Sequence, residues 1–254
     1  MPRRWFRELI TFLTSRLVLA GLTAFITVLI TLNSLFNRVR MSHDNGIAAA
    51  GRLTIVENPM IPAHAFLMPG REFGCRVRHA AASFLDDAKL VVRGASVKFA
   101  DSAYDSPMDI MMNSGSLPLF WNARTFMGFM VVTMLGRGKR FVSFLRNNPR
   151  ARIGGGDAVR RNPESFARMV YNSKTTTAFI GKDGLFRYAR YRLRPVDLEG
   201  PESGLPDTFD REHPWLQNPL RDETRDRNYL KREFQERLSK ANVRYELQIQ
   251  LREK

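Results

Sequence analysis

Four histidines and one cysteine are the side chains of this 254-residue chain best suited to moving protons or holding a metal. His43, His64, His79 and His213 are scattered, and His213 sits in a proline-flanked loop, so no metal cluster is expected. The lone Cys75 excludes an intramolecular disulfide framework and any multi-cysteine zinc or iron–sulfur site, and it leaves the redox compartment open. His64 and His79 read as structural residues. Met108, Met111 and Met112 read as core filling rather than as a redox device. No Ser/His/Asp order, phosphate-binding glycine loop or dinucleotide fingerprint stands out.

Charge narrows the partners. Forty Lys and Arg against 25 Asp and Glu leave a net charge of +15, a field that attracts nucleic acid or an anionic membrane surface. The sequence has neither an aromatic–basic platform nor a reading helix, so no nucleic acid is expected. Hydrophobic residues at 44% and charged residues at 26% describe a globular core rather than a disordered chain.

These residues need elements to hold them. Residues 1–16 form a basic segment carrying Arg3, Arg4, Arg7 and Arg16 against the single acid Glu8. Residues 17–36 are a charge-free apolar run long enough to cross roughly 30 Å of hydrocarbon at about 1.5 Å per residue. A retained transmembrane helix is expected; a cleaved signal segment and a partner-bound helix are the alternatives. Basic residues flank both ends of the run, so the positive-inside rule favours a cytoplasmic N-terminus only slightly. The Arg-rich start fits a bacterial inner membrane or, through import, a mitochondrial inner membrane.

Residues 37–254 read as one α+β domain. Strands are expected at 51–57, 72–79, 93–100 and 108–114, then at 173–180, 185–194 and 243–251. Helices are expected at 122–147, 163–170 and 226–240, the last with Tyr229, Phe234 and Leu238 facing inward. About seven largely antiparallel strands point to a β-barrel or a strongly curved sheet with inserted helices. Alternation within 72–79 sets Arg76 and Arg78 on one face and Cys75 and Val77 on the other. The stretch 137–161 carries eight Lys and Arg against Asp157, a solvated face or a contact for anionic headgroups.

The order of motifs resembles the catalase-like haem superfamily, which includes catalases and allene oxide synthases. Four matches carry the likeness: R-x-x-H-x-x-G-x-x-x-x-G at Arg40, His43, Gly46 and Gly51; Val77-Arg78-His79; Arg93-Gly94 through Val97-Lys98-Phe99; and Asp109-Ile110-x-x-Asn113, with Phe126 thirteen residues on. The likeness covers residues 38–252. It implies a catalase-like antiparallel barrel, haem b as cofactor, and hydroperoxide chemistry. It implies that His43 moves the proton in O–O cleavage and that Asn113 orients the peroxide. Arg40 and Arg78 match arginines on the haem propionates, and Phe126 matches an aromatic lining the distal pocket. Ser42 stands where catalases carry an apolar residue and allene oxide synthases a hydroxyl, which points to organic hydroperoxides.

The family's axial tyrosinate lies in an R-x-x-x-Y motif beyond the eighth strand, and this chain stops after its seventh. Arg187…Tyr191 and Arg225…Tyr229 have that spacing but lie before the last strand, so both are expected to be chance matches. An incomplete barrel leaves two exposed edges. A second chain or a second copy is expected to complete it; a truncated sequence and a haem-free barrel acting as a scaffold or assembly subunit are the alternatives. With His43 only seven residues past the apolar run, the resemblance implies a membrane-anchored enzyme acting on lipid hydroperoxides, with membrane lipid as a partner.

Overall fold

The computed structural model describes residues 2–38, 43, 45–81, 86–102, 105–134 and 138–253. Arg40 and Ser42 lie outside the described residues. The chain divides into a helical unit, residues 1–42 with 120–148, and a sheet unit, residues 43–119 with 149–254.

In the helical unit, α1 spans Pro2–Asn37, and its segment Ser15–Phe36 holds 22 residues. At about 1.5 Å per residue that segment measures about 33 Å, enough to span a bilayer core. Thr23 and Thr27 donate their hydroxyls to the carbonyls of Leu19 and Thr23, at 2.8 and 2.9 Å. Their polar groups are thereby satisfied inside the helix, as a lipid-facing position requires. The helix expected over 122–147 is two helices, α2 (Ala123–Met134) and α3 (Lys139–Asn147), because Gly138 starts a new helix as its N-cap.

The sheet unit holds strands β1 (Gly46–Thr54), β2 (Glu72–Ala81), β3 (Val91–Lys98), β4 (Asp109–Ser114), β5 (Val159–Arg160), β6 (Tyr171–Asn172), β7 (Thr177–Ile180), β8 (Phe186–Pro195) and β9 (Tyr245–Glu253). All pairings are antiparallel. β6 and β7 lie along the same edge of β8, with Leu193 opposite Tyr171 and Ala189 opposite Thr177. They are one strand interrupted by a bulge, where Ser173 Oγ accepts the Tyr191 amide at 3.0 Å. The main ladder therefore has seven positions, in the order β1, β2, β3, β4, β6/β7, β8, β9. This is the α+β, antiparallel architecture that the strand count led us to expect.

Strand alternation divides the residues between two faces. Phe73, Cys75, Ala95, Val97, Phe99, Ile110, Met112, Ala189, Tyr191 and Leu193 form the core, and α6 (Tyr229–Lys240) adds Tyr229, Leu230 and Phe234. Arg76 and Arg78 point the other way, as the pattern in 72–79 indicated. Met111 does not fill the core. It is 78% exposed, because it shares the parity of Asn113 rather than that of Met112.

Two helices differ from expectation. Residues 163–170 make only a 3-10 turn at Phe166–Arg168, capped by Ser165. The Val170 amide is drawn to Glu202 Oε2 at 2.9 Å, and Tyr171 joins the ladder, so the helix cannot continue. Conversely, Pro149–Ala158 is a helix, α4, despite three consecutive glycines. Gly154 and Gly156 sit directly on the backbones of Pro118 and Arg211, where a Cβ would not fit. Arg211 belongs to the short helix α5 (Thr208–Glu212).

Candidate functional site

His43 immediately precedes the sheet unit's first strand and sits in the left-handed region, with φ of 56°. Two anchors hold it there. Arg78 on β2 donates Nη2 to the His43 carbonyl at 2.5 Å. Asn45, two residues on, donates Nδ2 to the buried Asp87 at 3.0 Å. Gly46 makes the first anchor possible, since a Cβ there would lie 2.8 Å from the Arg78 guanidinium and 2.5 Å from the His79 carbonyl.

Asp87 is a junction for several elements. Its Oδ2 accepts the Leu230 amide of α6 at 3.0 Å, and its carbonyl accepts Arg93 Nη2 at 2.5 Å. Arg93, on β3, is fully buried. The loop carrying His43 is thus tied to β2, β3 and α6 through charged or buried polar groups, which resist displacement.

Asn113 on β4 pairs with Gly94 on β3. Above Gly94 the side chains of His43 and Asn113 come together, and Asn113 raises the proton affinity of the ring. A Cβ on Gly94 would stand 3.0 Å from His43 Cδ2, 3.2 Å from Asn113 Oδ1 and 3.3 Å from His43 Nε2. The glycine is the floor on which the pair rests. The R-G-x-x-V-K-F string contained this residue, but its role came from what it lacks, which no side-chain pattern reveals.

Burial lowers the proton affinity of His43, the nearby Arg78 charge lowers it further, and the Asn113 hydrogen bond opposes both. The net direction is downward, so the ring is neutral near pH 7. A half-buried neutral imidazole beside a carboxamide is suited to taking a proton from one oxygen and delivering it to another.

The residues read from sequence fall into three groups. His43, Asn113 and Arg78 come together on the outer face of the sheet. Phe126 lies on α2 in the helical unit, where its ring meets Phe120 edge-on at 5.4 Å. Arg40 and Ser42 are outside the described residues. The remaining histidines are engaged: His64 Nδ1 accepts the amides of Phe66 and Leu67, His213 stacks on Phe209 at 4.4 Å, and His79 is fully buried with Nε2 3.0 Å from Tyr245 Oη. Cys75 is buried, and burial pushes its thiol up, so it is no thiolate. Among the described residues no group of three His, Cys, Asp or Glu could hold a metal ion.

A haem would find small residues beside the His43–Asn113 pair. The outer face beside His43 is built of Gly94, Ser96, Ala48 and Ala50, with Met111 exposed, so a flat ring could approach the His43–Asn113 pair. Arg78 donates to the His43 carbonyl and brings a positive charge to this face. Of the five described tyrosines, four are buried or held by hydrogen bonds. Tyr171 and Tyr229 donate their hydroxyls to the carbonyls of Phe166 and Pro163, Tyr245 is bonded to His79, and Tyr191 is buried; burial pushes all four phenols up. Tyr188, on β8, packs edge-on to Phe186. Both R-x-x-x-Y strings are therefore structural, and Arg187 pairs with Asp183 at 2.7 Å.

No protein-family model matches the chain. The allene oxide synthase-lipoxygenase protein of Plexaura homomalla is 39% identical over 217 residues, which cover 84% of this chain and 20% of that protein. The linolenate 9R-lipoxygenase of a Nostoc species is 30% identical over 223 residues, 85% of this chain and 28% of that protein. The chain thus spans less than a third of either relative. Among solved structures, a fungal catalase superposes with a TM-score of 0.61 at 19% identity, covering 88% of this chain and 46% of its own. Catalase A of Saccharomyces cerevisiae gives 0.62 at 17% identity, covering 89% and 47%. In fold the chain is similar to catalases, and in sequence it is similar to one part of an allene oxide synthase-lipoxygenase protein.

Proposed function

We propose that the chain is a membrane-anchored haem protein that converts lipid hydroperoxides. The observation that carries this reading is the His43–Asn113 pair held over Gly94 on the outer face of the sheet. Haem b, when bound, supplies the iron at which a peroxide O–O bond is broken. The neutral ring of His43 takes the hydroperoxide proton and delivers it to the departing oxygen. The Asn113 amide orients both His43 and the peroxide. Arg78 fixes the His43 backbone, and its charge, with that of Arg40, would neutralise a propionate. Phe126 and Ser42, matched by the resemblance to an aromatic and a hydroxyl of the family's pocket, complete the candidate residues.

Two observations support an organic hydroperoxide as the substrate. One is the stronger likeness to a protein named for allene oxide synthase and lipoxygenase than to catalases, at 39% against 19% identity. The other is the apolar α1 segment, which ends seven residues before His43. The anchor fits a bacterial or mitochondrial inner membrane.

The test is a kinetic comparison of haem-loaded protein with its His43→Ala and Asn113→Ala variants, on a fatty-acid hydroperoxide and on hydrogen peroxide. The proposal predicts faster turnover of the fatty-acid hydroperoxide and a loss of about 10²–10⁴-fold on removing His43. Equal turnover by wild type and His43→Ala would sink it. A second reading, a haem-free scaffold subunit, is favoured by four of the five described tyrosines being buried or held by hydrogen bonds. Failure of the protein to take up haem would select it.

A further inference from the structure

The longest stretch of the sequence without an acidic side chain runs from residue 110 to residue 156. It carries seven Lys and Arg, among them Arg124, Lys139, Arg140 and Arg146. Its middle forms α2 and α3, which belong to the same helical unit as the apolar α1.

Helix α3 has two sharply different faces. Phe141 and Leu145 are buried, whereas Lys139, Arg140, Ser143, Arg146 and Asn147 are exposed. At about 100° per residue, those five positions cover about 120° of the helix. Three of them are cations. Helix α2, by contrast, has no charged side chain after Arg124. It packs on α3 through Phe129, whose ring lies 5.7 Å from Phe141, and through Gly128, where a Cβ would stand 3.0 Å from Phe144. Val131, and Trp121 just before the helix, remain exposed.

We infer that the outer face of α3 binds the headgroups of anionic phospholipids at the surface of the bilayer that α1 crosses. The inference rests on α1 as a membrane helix and not on haem or hydroperoxide chemistry, so either can fail alone. Charge is the first argument. A helix face meant for water mixes both signs, as α6 does where Glu233 pairs with Arg237 and Glu236 with Lys240. Helix α3 has cations on that face and no acid within its segment, which suits phosphate oxygens from outside the chain.

Place is the second argument. Helices α1 and α2 touch within one unit, so α3 is held close to the segment that is long and apolar enough to cross a membrane. Apolar exposure is the third. An exposed tryptophan and valine beside a basic amphipathic helix match the boundary between headgroups and hydrocarbon. Nucleic acid would answer the charge alone and leave that apolar surface in water.

The experiment uses the full chain in nanodiscs of phosphatidylcholine, with and without added phosphatidylglycerol. Ser143→Cys, in the middle of the cationic face, carries a nitroxide; Cys75 is buried with its thiol pushed up, so labelling is confined to the new site. Collisions with a water-soluble nickel complex report exposure. The expected result is a severalfold drop in collision rate when phosphatidylglycerol is present, reversed in 1 M salt, where the screening length is about 3 Å. At about fivefold per cation, Lys139→Gln with Arg140→Gln should weaken docking about 30-fold and restore the collisions. Equal collision rates in the two lipids would overturn the inference. So would shielding that survives both salt and the double substitution, or shielding by added RNA or DNA but not by phosphatidylglycerol. Failure of the chain to enter nanodiscs of either kind would remove α1 as an anchor and this inference with it, whatever the haem spectrum shows.

Discussion

Substituting Gly94 by alanine adds one methyl group beneath the His43–Asn113 pair. The added carbon would meet His43 Cδ2 at 3.0 Å and Asn113 Oδ1 at 3.2 Å, so the pair must rise by a few tenths of an ångström. Two effects on stability oppose each other. Overpacking costs about 1–3 kcal/mol, and replacing a strand glycine by alanine returns about 0.5–1 kcal/mol through backbone entropy. The net loss is on the order of 1 kcal/mol, too small to unfold the protein. The site should suffer more than the fold. A misplacement of about 1 Å can cost about 10²-fold in rate, so a few tenths of an ångström predicts roughly a three- to tenfold loss. The assay is steady-state turnover of a fatty-acid hydroperoxide, alongside a thermal melt and an NMR titration of His43. Weakening the Asn113 bond removes the one interaction that raises the His43 proton affinity, so its titration should move to lower pH. Wild-type turnover together with an unmoved His43 titration would refute the role given to Gly94.

Other outcomes follow from the same structure. Arg78→Gln removes a positive charge that lowers the His43 proton affinity, so His43 should titrate at higher pH, and the lost charged hydrogen bond should cost about 1.5–3 kcal/mol in a denaturant melt. His79, fully buried, has its pKa lowered to about 3 from an ordinary 6.5. The unfolded chain therefore binds this proton first, and stability is intact above pH 6.5 and falls as pH drops from 6.5 toward 3. The total loss is roughly 4–5 kcal/mol, and His79→Phe should flatten that part of the pH profile. Asp87→Ala strands the buried Arg93 and releases Asn45 and Leu230. It should cost about 3–5 kcal/mol in urea unfolding and loosen the His43 loop.

What could be read from sequence was set by how locally each feature is encoded. The alternation in 72–79 announced its two faces, because a strand's period is two and nothing interrupts it there. The inward positions of α6 were equally plain from their spacing. Helix α4 was hidden because its glycines read as loop, although two of them are demanded by backbones from distant parts of the chain. The 3-10 turn at 166–168 replaced a helix because Glu202 and Leu193, far along the sequence, compete for the following residues. The site divides in the same way. His43 and Asn113 were picked out by the order of family motifs, whereas Gly94, Asn45 and Asp87 act through contacts between elements and left no local mark. Met111 was misplaced inward because three methionines in five residues suggest a core more strongly than strand parity contradicts it.

The central claim is that the outer-face His43–Asn113 pair serves a bound haem. The most direct measurement is the visible absorption spectrum of the protein extracted in mild detergent, taken for wild type and for His43→Ala. The account predicts a Soret band in the wild type whose position or shape changes when His43 is removed, since that ring would face the iron. Absence of a Soret band, even after haem is supplied, would contradict it, as would a band indifferent to His43.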